Sequence, residues 1–350
     1  MSEKSSETRL AITLGDPAGV GAEVALRALA MKPLPRAHVV LIGDLEVVRE
    51  TAKRAGIGVA VEPIDRTELA RGNRAARGPL RVLDPSRERN EPPLRPAERR
   101  PGRPSIAGAR VAYRAIETAV ALARAGQVDA IATAPISKDW FARARLARTG
   151  HTEILAELSG AKDVRLMMAL PELRVVLATT HLAVREVSRA LSVAVVRDTV
   201  AITASHLSRW WGIRRPRIAV AALNPHAGDG GIYGDEETRV IGPAIRAARR
   251  RRLDAIGPVP ADTLFSALGP PCDAVVAMYH DQGLIPVKQL DVHRAVNVTL
   301  GLPFIRTSPD HGTAYDVAGT GRADPRSMRA AVDLALELAT IEKRARKTSR

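Results

Sequence analysis

Short apolar runs alternate with segments of helical periodicity along most of the chain. The runs end in glycine, proline or polar residues, a pattern typical of buried strands, and the segments between them repeat apolar residues at helix spacing. Because strands and helices alternate, we predict an α/β fold with a mostly parallel sheet and helices on both faces. The predicted strands cover 10–14, 38–42, 59–61, 80–83, 129–133, 173–179, 217–223, 274–278 and 295–300; the predicted helices cover 22–31, 45–55, 107–125, 154–158, 183–211, 235–251, 260–265 and 325–344.

Two segments depart from this alternation. Residues 85–105 are rich in Pro, Arg and Glu without an apolar period, so they are predicted to be a loop. Residues 15–21 form the glycine-rich turn GDPAGVG between the first strand and helix. Its spacing differs from the dinucleotide fingerprint G-x-G-x-x-G and Pro17 interrupts it, so we predict no Rossmann domain. The turn either holds an anion at the helix N-terminus or is a tight βα turn.

Composition narrows the class of protein. The single cysteine, Cys272, excludes a disulfide framework and a cysteine-based zinc finger, and favours a reducing compartment. No apolar run approaches the roughly 20 residues that cross a bilayer, and the polar N-terminus lacks the core of a signal peptide. We therefore expect a soluble, cytoplasmic protein without a membrane partner.

The net charge of +15 raises nucleic-acid binding as an alternative function. The arginines are spread along the chain, and their clusters at 95–103, 249–252 and 343–350 are not interleaved with aromatic residues that could stack on bases. We therefore expect no nucleic-acid partner. A general attraction for anionic metabolites follows instead.

Three histidines share one placement, just past a predicted strand. His181, His226 and His280 each follow an apolar run, and parallel strands would bring them to the same edge of the sheet. Neutral imidazole is the commonest metal ligand, and three ligands with one open position are typical of a catalytic divalent site. Each histidine alone could be a polar residue at a strand end, but the three together favour a metal site. Asp281 could be a fourth ligand or could orient an imidazole.

Other polar residues are candidates for binding an anion. His151 and Thr152 precede a predicted helix, although Thr152 could simply cap it. Lys288 and Arg306 follow apolar residues, and Asn297 lies between them in sequence. An arginine fork matches phosphate or carboxylate oxygens, whereas the alternative for each cation is solvated surface charge.

Eight ordered motifs give the chain a family resemblance from Leu14 to Ala314. They read LGDPAGVGAEV, TAPISK, GHTE, TTHLAV, NPHAGDGG, PADTLF, YHDQGLIPVK and VNVTLGLPFIRTSPDHGTA. With these motifs the sequence resembles the 4-hydroxythreonine-4-phosphate dehydrogenase family of pyridoxal phosphate biosynthesis. The resemblance implies a three-layer α/β/α fold like that of isocitrate and isopropylmalate dehydrogenases, with two lobes and the site in the cleft between them. We expect residues 1–135 plus 300–350 to form the cofactor-side lobe, and 136–299 to form the lobe with the metal ligands and dimer interface.

The resemblance also implies ligands and a partner. A divalent metal (zinc, magnesium, cobalt, manganese or nickel) would be held by the three histidines and shared across a homodimer. The substrate would contact His151, Thr152, Lys288, Asn297 and Arg306.

A further resemblance concerns the cofactor. Residues 311–319 resemble the adenosine-binding loop of β-decarboxylating dehydrogenases, so His311, Gly312, Thr313, Ala314 and Asp316 would contact a dinucleotide. A carboxylate at Asp316 could hold the ribose hydroxyls of NAD and would repel the 2′-phosphate of NADP, which favours NAD.

The implied reaction is oxidation of 4-phosphooxy-L-threonine, followed by decarboxylation to 3-amino-2-oxopropyl phosphate. Lys288, Asp262 and Lys138 are candidates for moving the protons. Two alternatives stay open. Relatives of the family oxidise other phosphorylated sugar acids, such as erythronate or threonate 4-phosphate, or cyclic diols. Three histidines and an open position could also serve a metallohydrolase.

Overall fold

The computed structural model describes residues 7–34, 37–70, 78–146, 148, 150–267 and 269–348. The chain divides into two compact units. Unit 1 comprises Met1–Lys162 and Leu302–Thr340, and unit 2 comprises Asp163–Gly301 and Ile341–Arg350. The predicted α/β class is confirmed, because each unit has its own layer of strands with helices packed against it.

The strands of unit 1 run parallel in the order β3-β4-β2-β1-β5-β12. Most of their residues are buried, as expected for parallel strands covered on both faces. The strands are β1 (Thr8–Thr13), β2 (Ala37–Ile42), β3 (Val61–Pro63), β4 (Leu80–Leu83), β5 (Ala130–Thr133) and β12 (Ile305–Pro309).

Polar side chains set the starts of several unit 1 helices. Asp44, Asp84, Ser105 and Ser137 each accept a backbone N–H from the first turn of the helix that follows, which satisfies a donor the helix cannot pair internally. The helices are α1 (Gly21–Met31), α2 (Leu45–Arg54), α3 (Arg66–Ala70), α4 (Pro85–Glu88), α5 (Ile106–Arg124), α6 (Lys138–Arg143), α7 (His151–Ser159) and α13 (Arg326–Thr348), whose last residues belong to unit 2.

The strands of unit 2 are ordered β11-β6-β7-β10-β8-β9. β7, β10, β8 and β9 run parallel, whereas β6 is antiparallel to both β7 and β11. A short turn, in which Leu170 N–H bonds to Leu173 O at 2.8 Å, joins β6 to β7, and so short a connection permits antiparallel pairing only. The strands are β6 (Arg165–Ala169), β7 (Arg174–Leu177), β8 (Arg217–Ala221), β9 (Asp254–Val259), β10 (Ala274–Ala277) and β11 (Val296–Leu300).

Both faces of the unit 2 sheet are buried in apolar clusters. Ile218 and Val220 of β8 belong to one cluster, whereas Ala219 and Ala221 belong to the other, because successive strand side chains point to opposite faces. A π-helical turn, Glu237–Ile241, leads into α10. The helices are α8 (Val184–Ala190), α9 (Val193–Trp210), α10 (Gly242–Arg250), α11 (Ala261–Leu264) and α12 (His280–Asp291).

Several local predictions were wrong. The helix predicted at 183–211 is two helices, α8 and α9. They are separate because Ser192, which lies between them, caps the start of α9 by accepting Val195 N–H at 3.2 Å. The segment 85–105 is not entirely a loop, since it contains α4 and a 3₁₀ turn at Pro96–Arg99. Strands β6, β9 and β12 were not predicted.

The unit boundaries also differ from those expected at 135 and 300. Residues 136–162 lie in unit 1, because α6 and α7 pack against α5. Residues 341–350 lie in unit 2, where Glu342 pairs with Arg209 of α9.

No single helix in the described ranges is long and apolar enough to span a membrane. Helices α8 and α9 together would be long and apolar enough, but they are bent by 88° at their junction.

Candidate functional site

The three predicted metal ligands follow three adjacent strands of unit 2. β7, β10 and β8 are neighbours and run parallel, which is the arrangement that the metal hypothesis requires. His181 follows β7, His226 follows β8, and His280 is the first residue of α12 directly after β10. The backbone therefore brings all three histidines to the carboxyl edge of one sheet.

Two of these histidines are close enough to share a metal ion. The ring centres of His181 and His280 are 5.7 Å apart. Two imidazoles on one tetrahedral ion, with metal–nitrogen bonds of about 2.1 Å, have ring centres about 5 to 6 Å apart. His280 Nδ1 lies 2.7 Å from Asp281 Oδ1, which orients the ring and leaves Nε2 for a ligand. This pair fits a divalent metal.

His226 is not assembled with that pair. Its ring lies beside Tyr233, with ring centres 6.2 Å apart, and its backbone φ of 53° is in the left-handed region. Left-handed φ values continue through Gly230, and such strain in non-glycine residues is concentrated at functional sites. Among the residues that the structure describes, no group of three His, Cys, Asp or Glu side chains is arranged to hold a metal.

Two acidic residues fix the turn that carries His226. The buried Glu237 carboxylate accepts the backbone N–H groups of Leu223 and Asn224, each at 2.8 Å. The Asn224 side-chain amide donates to Glu236 at 2.7 Å and to Glu237 at 3.0 Å. Sequence reasoning missed these residues, although an adjacent acidic pair just after NPHAGDGG is a readable signal.

The Glu236 carboxylate extends this network to α8. The Ser188 hydroxyl donates to Glu236, and this hydrogen bond is the main reason that the pKa of Glu236 is lowered. The turn of His226 is thus tied to the helix that follows His181 in sequence.

Unit 1 contains a buried guanidinium. Arg306 lies on β12, is only 3% exposed, and donates from Nε and Nη2 to Thr133 Oγ1 on β5 at 3.1 and 2.7 Å. Burial lowers the pKa of Arg306 to about 9, which leaves the side chain charged at neutral pH. A buried permanent cation of this kind is suited to a phosphate or carboxylate ligand.

His151 lies in the field of that cation. Its pKa is well below the usual value, first because of burial and then because of Arg306 and Lys138, so the ring is neutral at pH 7. Its Nε2 is buried and has no hydrogen-bond partner among the described residues. Arg306 and Lys138 thus lie near an imidazole nitrogen that has no hydrogen-bond partner, and this arrangement is suited to an anion.

The start of α7 adds to this anion site. Its N-cap is Gly150, and no side chain caps the helix. The alternative that Thr152 is merely the cap is therefore wrong, since Thr152 lies within the first turn. Uncapped N–H groups and the helix dipole favour a negative charge at this position.

The remaining predicted substrate and catalytic residues lie in unit 2. Lys288 is exposed on α12, Asn297 is half-buried on β11, and Asp262 is exposed on α11. Of the five predicted substrate contacts, His151, Thr152 and Arg306 thus belong to unit 1, and Lys288 and Asn297 to unit 2.

The predicted cofactor loop follows β12 in unit 1 and is docked on the glycine-rich turn. Val20 N–H bonds to Thr313 O at 2.9 Å, and the Tyr315 hydroxyl donates to Asp16 at 2.7 Å. Burial is the main cause of raised pKa values for both Asp16 and Tyr315. Asp316 is exposed, and His311 Nε2 is buried with no hydrogen-bond partner among the described residues. The Asp316 carboxylate is therefore accessible to a ligand.

The glycine-rich turn itself is a tight βα turn. Its N–H groups are used internally, since Ala18 bonds to the Asp16 side chain at 2.9 Å and Gly19 bonds to Asp16 O at 3.0 Å. Gly15 has a φ of +68°, and a Cβ there would lie 2.1 Å from Pro135 O. These contacts favour the tight turn over the anion cradle.

The chain is similar to known proteins over most of its length. The profile of the family "Pyridoxal phosphate biosynthetic protein PdxA" matches residues 35–335. The chain is 46% identical to 4-hydroxythreonine-4-phosphate dehydrogenase of Geobacter metallireducens, over 97% of each protein. It is 43% identical to D-threonate 4-phosphate dehydrogenase of Salmonella typhimurium, over 94% of this chain and 98% of that protein.

A solved structure is similar over almost the whole chain. The crystal structure of 4-hydroxythreonine-4-phosphate dehydrogenase from Klebsiella pneumoniae has a TM-score of 0.84 and 37% identity. The match covers 97% of this chain and 100% of that chain. The chain therefore shares the α/β fold of that enzyme.

Proposed function

The chain belongs to the PdxA family of pyridoxal phosphate biosynthetic proteins, which includes the 4-hydroxythreonine-4-phosphate dehydrogenases, and from this premise we propose a specific reaction. The enzyme oxidises 4-phosphooxy-L-threonine with NAD and a divalent metal ion, and the oxidised product loses CO₂ to give 3-amino-2-oxopropyl phosphate. The anion site formed by the buried Arg306 guanidinium, the buried Nε2 of His151 and the exposed Lys138 is the observation that carries this proposal.

The anion site is matched to a phosphate monoester. Arg306 supplies a fixed fork, Lys138 supplies a second cation, and the neutral His151 ring can donate its N–H to a phosphate oxygen. Because Arg306 is buried and held by Thr133, it is already ordered before the ligand arrives. Preorganisation of this kind positions the far end of the substrate relative to the reacting alcohol.

The metal would be held by His181, His280 and His226. When bound, it supplies Lewis-acid polarisation of the substrate hydroxyl. Asp281 sets the orientation of His280 through the 2.7 Å contact at Nδ1. Glu237 and Asn224 hold the turn from which His226 projects.

The cofactor would bind to the loop of His311, Gly312, Thr313, Ala314 and Asp316. Bound NAD⁺ supplies the acceptor for the hydride that leaves the alcohol carbon. The exposed Asp316 carboxylate is available to the ribose hydroxyls and disfavours the 2′-phosphate of NADP. Asp16 and Tyr315 fix the loop against the glycine-rich turn.

The alcohol proton must leave as the hydride is transferred. Lys288 and Asp262 are the proposed acceptors, since both side chains are exposed in unit 2 and can exchange protons with water. Lys138 is better assigned to the phosphate, because its charge helps to lower the pKa of His151.

A homodimer completes the proposal. Apolar side chains close in sequence to His181 and His226 are exposed, and Val184 and Ile232 are each 74% exposed. Leu182 adjoins His181, and Tyr233 lies against His226. Apolar groups exposed together favour a protein partner. A dimer interface here agrees with metal ligands that are shared between subunits. It also agrees with the observation that the described residues of one chain do not bring the three histidines together as a metal site.

D-Threonate 4-phosphate is the second candidate substrate. A relative 43% identical to this chain is named for it. Both substrates carry a phosphate and an alcohol, and they differ in the amine or hydroxyl beside the carboxylate. The phosphate site accounts for either one.

The test is NADH formation with purified protein. We expect turnover of 4-phosphooxy-L-threonine that is lost on chelation and restored by added divalent metal. D-Threonate and D-erythronate 4-phosphates serve as competing substrates. A higher kcat/KM for either one would replace the proposed substrate, and turnover insensitive to chelation would remove the metal.

A further inference from the structure

A groove of about 860 Å³ lies in unit 2 beside α9. One wall is the exposed side of α9, including Ala201, Ser205 and Ser208. The other walls are the segments that lead into β8 and β9, which contribute Arg214, Arg215 and Arg252. Three segments that are distant in sequence thus converge on one surface concavity.

This groove lies at the opposite edge of the sheet from the histidines. Arg214 and Arg215 precede β8, and Arg252 precedes β9, so they belong to the amino edge. His226 follows β8 and lies at the carboxyl edge. Anything bound in the groove would therefore occupy a separate site from the proposed metal centre.

The groove has a strong positive charge. Across the described ranges, the guanidinium groups of Arg214, Arg215 and Arg252 have no carboxylate or hydrogen-bond partner. The lining carboxylate of Asp254 bonds to Arg217 at 3.0 Å, so it is already neutralised. Three arginines with unoccupied forks match the oxygens of a phosphate.

The floor of the groove is apolar. Ala204 is 6% exposed, Pro216 is buried, and Leu253 is half-buried. A hydrated inorganic ion gains nothing from such a floor, whereas an apolar organic group would remove apolar surface from water. The three arginines and the apolar floor together favour an organic anion as the ligand.

The backbone at Arg252 carries a related observation. It has a φ of +62° just after the end of α10, a position where glycine is strongly preferred. Arginine is present there despite the steric cost of its Cβ, and its side chain lines the groove. A substitution to glycine should therefore relieve strain while it removes the cation.

We propose that this groove binds a small organic phosphate with an apolar body. The phosphate lies among Arg214, Arg215 and Arg252, and the apolar body lies over Ala204, Pro216 and Leu253. Family membership enters only in the choice of probe, pyridoxine 5′-phosphate, a phosphorylated pyridine without a reactive aldehyde.

The test is calorimetric titration of the full-length protein with pyridoxine 5′-phosphate at physiological ionic strength. Arg252→Gly and the double variant Arg214→Gln/Arg215→Gln are expected to bind at least tenfold more weakly, with unchanged dehydrogenase turnover. The melting temperature of Arg252→Gly should equal or exceed that of the unmodified protein, so loss of binding there is not unfolding. Arg87→Gln/Arg110→Gln in unit 1 is the charge-matched control and should bind normally.

Lys138→Ala separates this groove from the anion site of unit 1, and it should retain binding in the groove. The proposal is overturned if the groove variants bind like the unmodified protein, if Lys138→Ala alone loses the probe, or if inorganic phosphate binds as tightly as the probe. None of these titrations depends on turnover, so failure of the proposed reaction leaves the test readable.

Discussion

The hydroxyl of Tyr315 donates a 2.7 Å hydrogen bond to the buried carboxylate of Asp16. The two residues are 299 positions apart in sequence. Their contact fixes the proposed cofactor loop on the turn between β1 and α1. Ser137 and Thr313 also bond to the Tyr315 hydroxyl, so this half-buried group links three segments of unit 1.

Removing this hydroxyl should weaken cofactor binding. For Tyr315→Phe we expect KM for NAD to rise roughly tenfold, the equivalent of about 1.5 kcal/mol for a hydrogen bond to a charged group. kcat should change little, because the loop holds the cofactor and does not move protons. Adding Asp16→Asn to Tyr315→Phe should raise KM for NAD little further, because the hydrogen bond between the two residues is already lost. If KM for NAD stays unchanged while kcat or KM for the substrate changes instead, the loop does not have this role.

His151 should remain neutral across the physiological range. Burial and two nearby cations lower its pKa, so its imidazole signals in NMR should not titrate between about pH 6 and 8. In the unfolded chain His151 takes up a proton near its ordinary pKa of about 6.5, whereas the folded protein does not. Stability contributed by this site is therefore lost as pH falls below about 6.5 and is regained as pH rises.

The control for that prediction is His151→Gln. This variant should show a smaller loss of melting temperature between pH 7 and pH 5.5 than the unmodified protein. A His151 signal that titrates near the ordinary value would show that the ring is not in the cationic environment described here.

Arg306 should not be replaceable by lysine. Lysine retains the charge but lacks the fork that donates twice to Thr133, so Arg306→Lys is expected to lower kcat/KM about 100-fold. Most of the effect should fall on KM for the phosphorylated substrate. Arg110→Lys, on an exposed face of α5, is the matched control. Equal kcat/KM for Arg306→Lys and the control would contradict the phosphate site.

Glu237 should support metal binding without touching the metal. Glu237→Gln keeps one oxygen for the backbone N–H groups of Leu223 and Asn224, but it replaces the oxygen that accepts from the Asn224 side-chain amide with an NH₂ group. This change should loosen the turn that carries His226, and we expect metal affinity to fall about tenfold. Cobalt titration followed by absorbance measures this directly. Asp235→Asn is the matched control, because Asp235 is exposed and pairs with Arg239. Equal affinities for the two variants would show that the turn does not position His226.

Ile232 should be required for self-association. Ile232→Glu places a charge in the apolar surface beside the histidines, so the protein should become monomeric and lose turnover. Its melting temperature should change little apart from the loss of the partner, because the side chain is 74% exposed. Met31→Glu, at an exposed position in unit 1, should remain dimeric. Sedimentation velocity decides between the two outcomes.

The sequence predicted most elements of regular structure because their signals are local. Apolar runs bounded by turn residues marked β1, β5, β8 and β10, and long amphipathic periodicity marked α5 and α13. It missed β6, β9 and β12, and it merged α8 with α9. In β9 and β12 the apolar residues are interrupted by glycine, proline or arginine. The capping role of Ser192 depends on backbone angles that an apolar pattern does not specify.

The sequence by itself determined the alternation of strands and helices, the family resemblance and the residue types available for catalysis, since each is written in contiguous stretches. Only the tertiary structure decided that β7, β10 and β8 are neighbours, that Asp16 holds Tyr315, and that His151 Nε2 is buried beside two cations. It also separated His226 from the pair of His181 and His280. Strand order, burial and charge environment arise from contacts between residues far apart in the chain, and local periodicity carries no information about them.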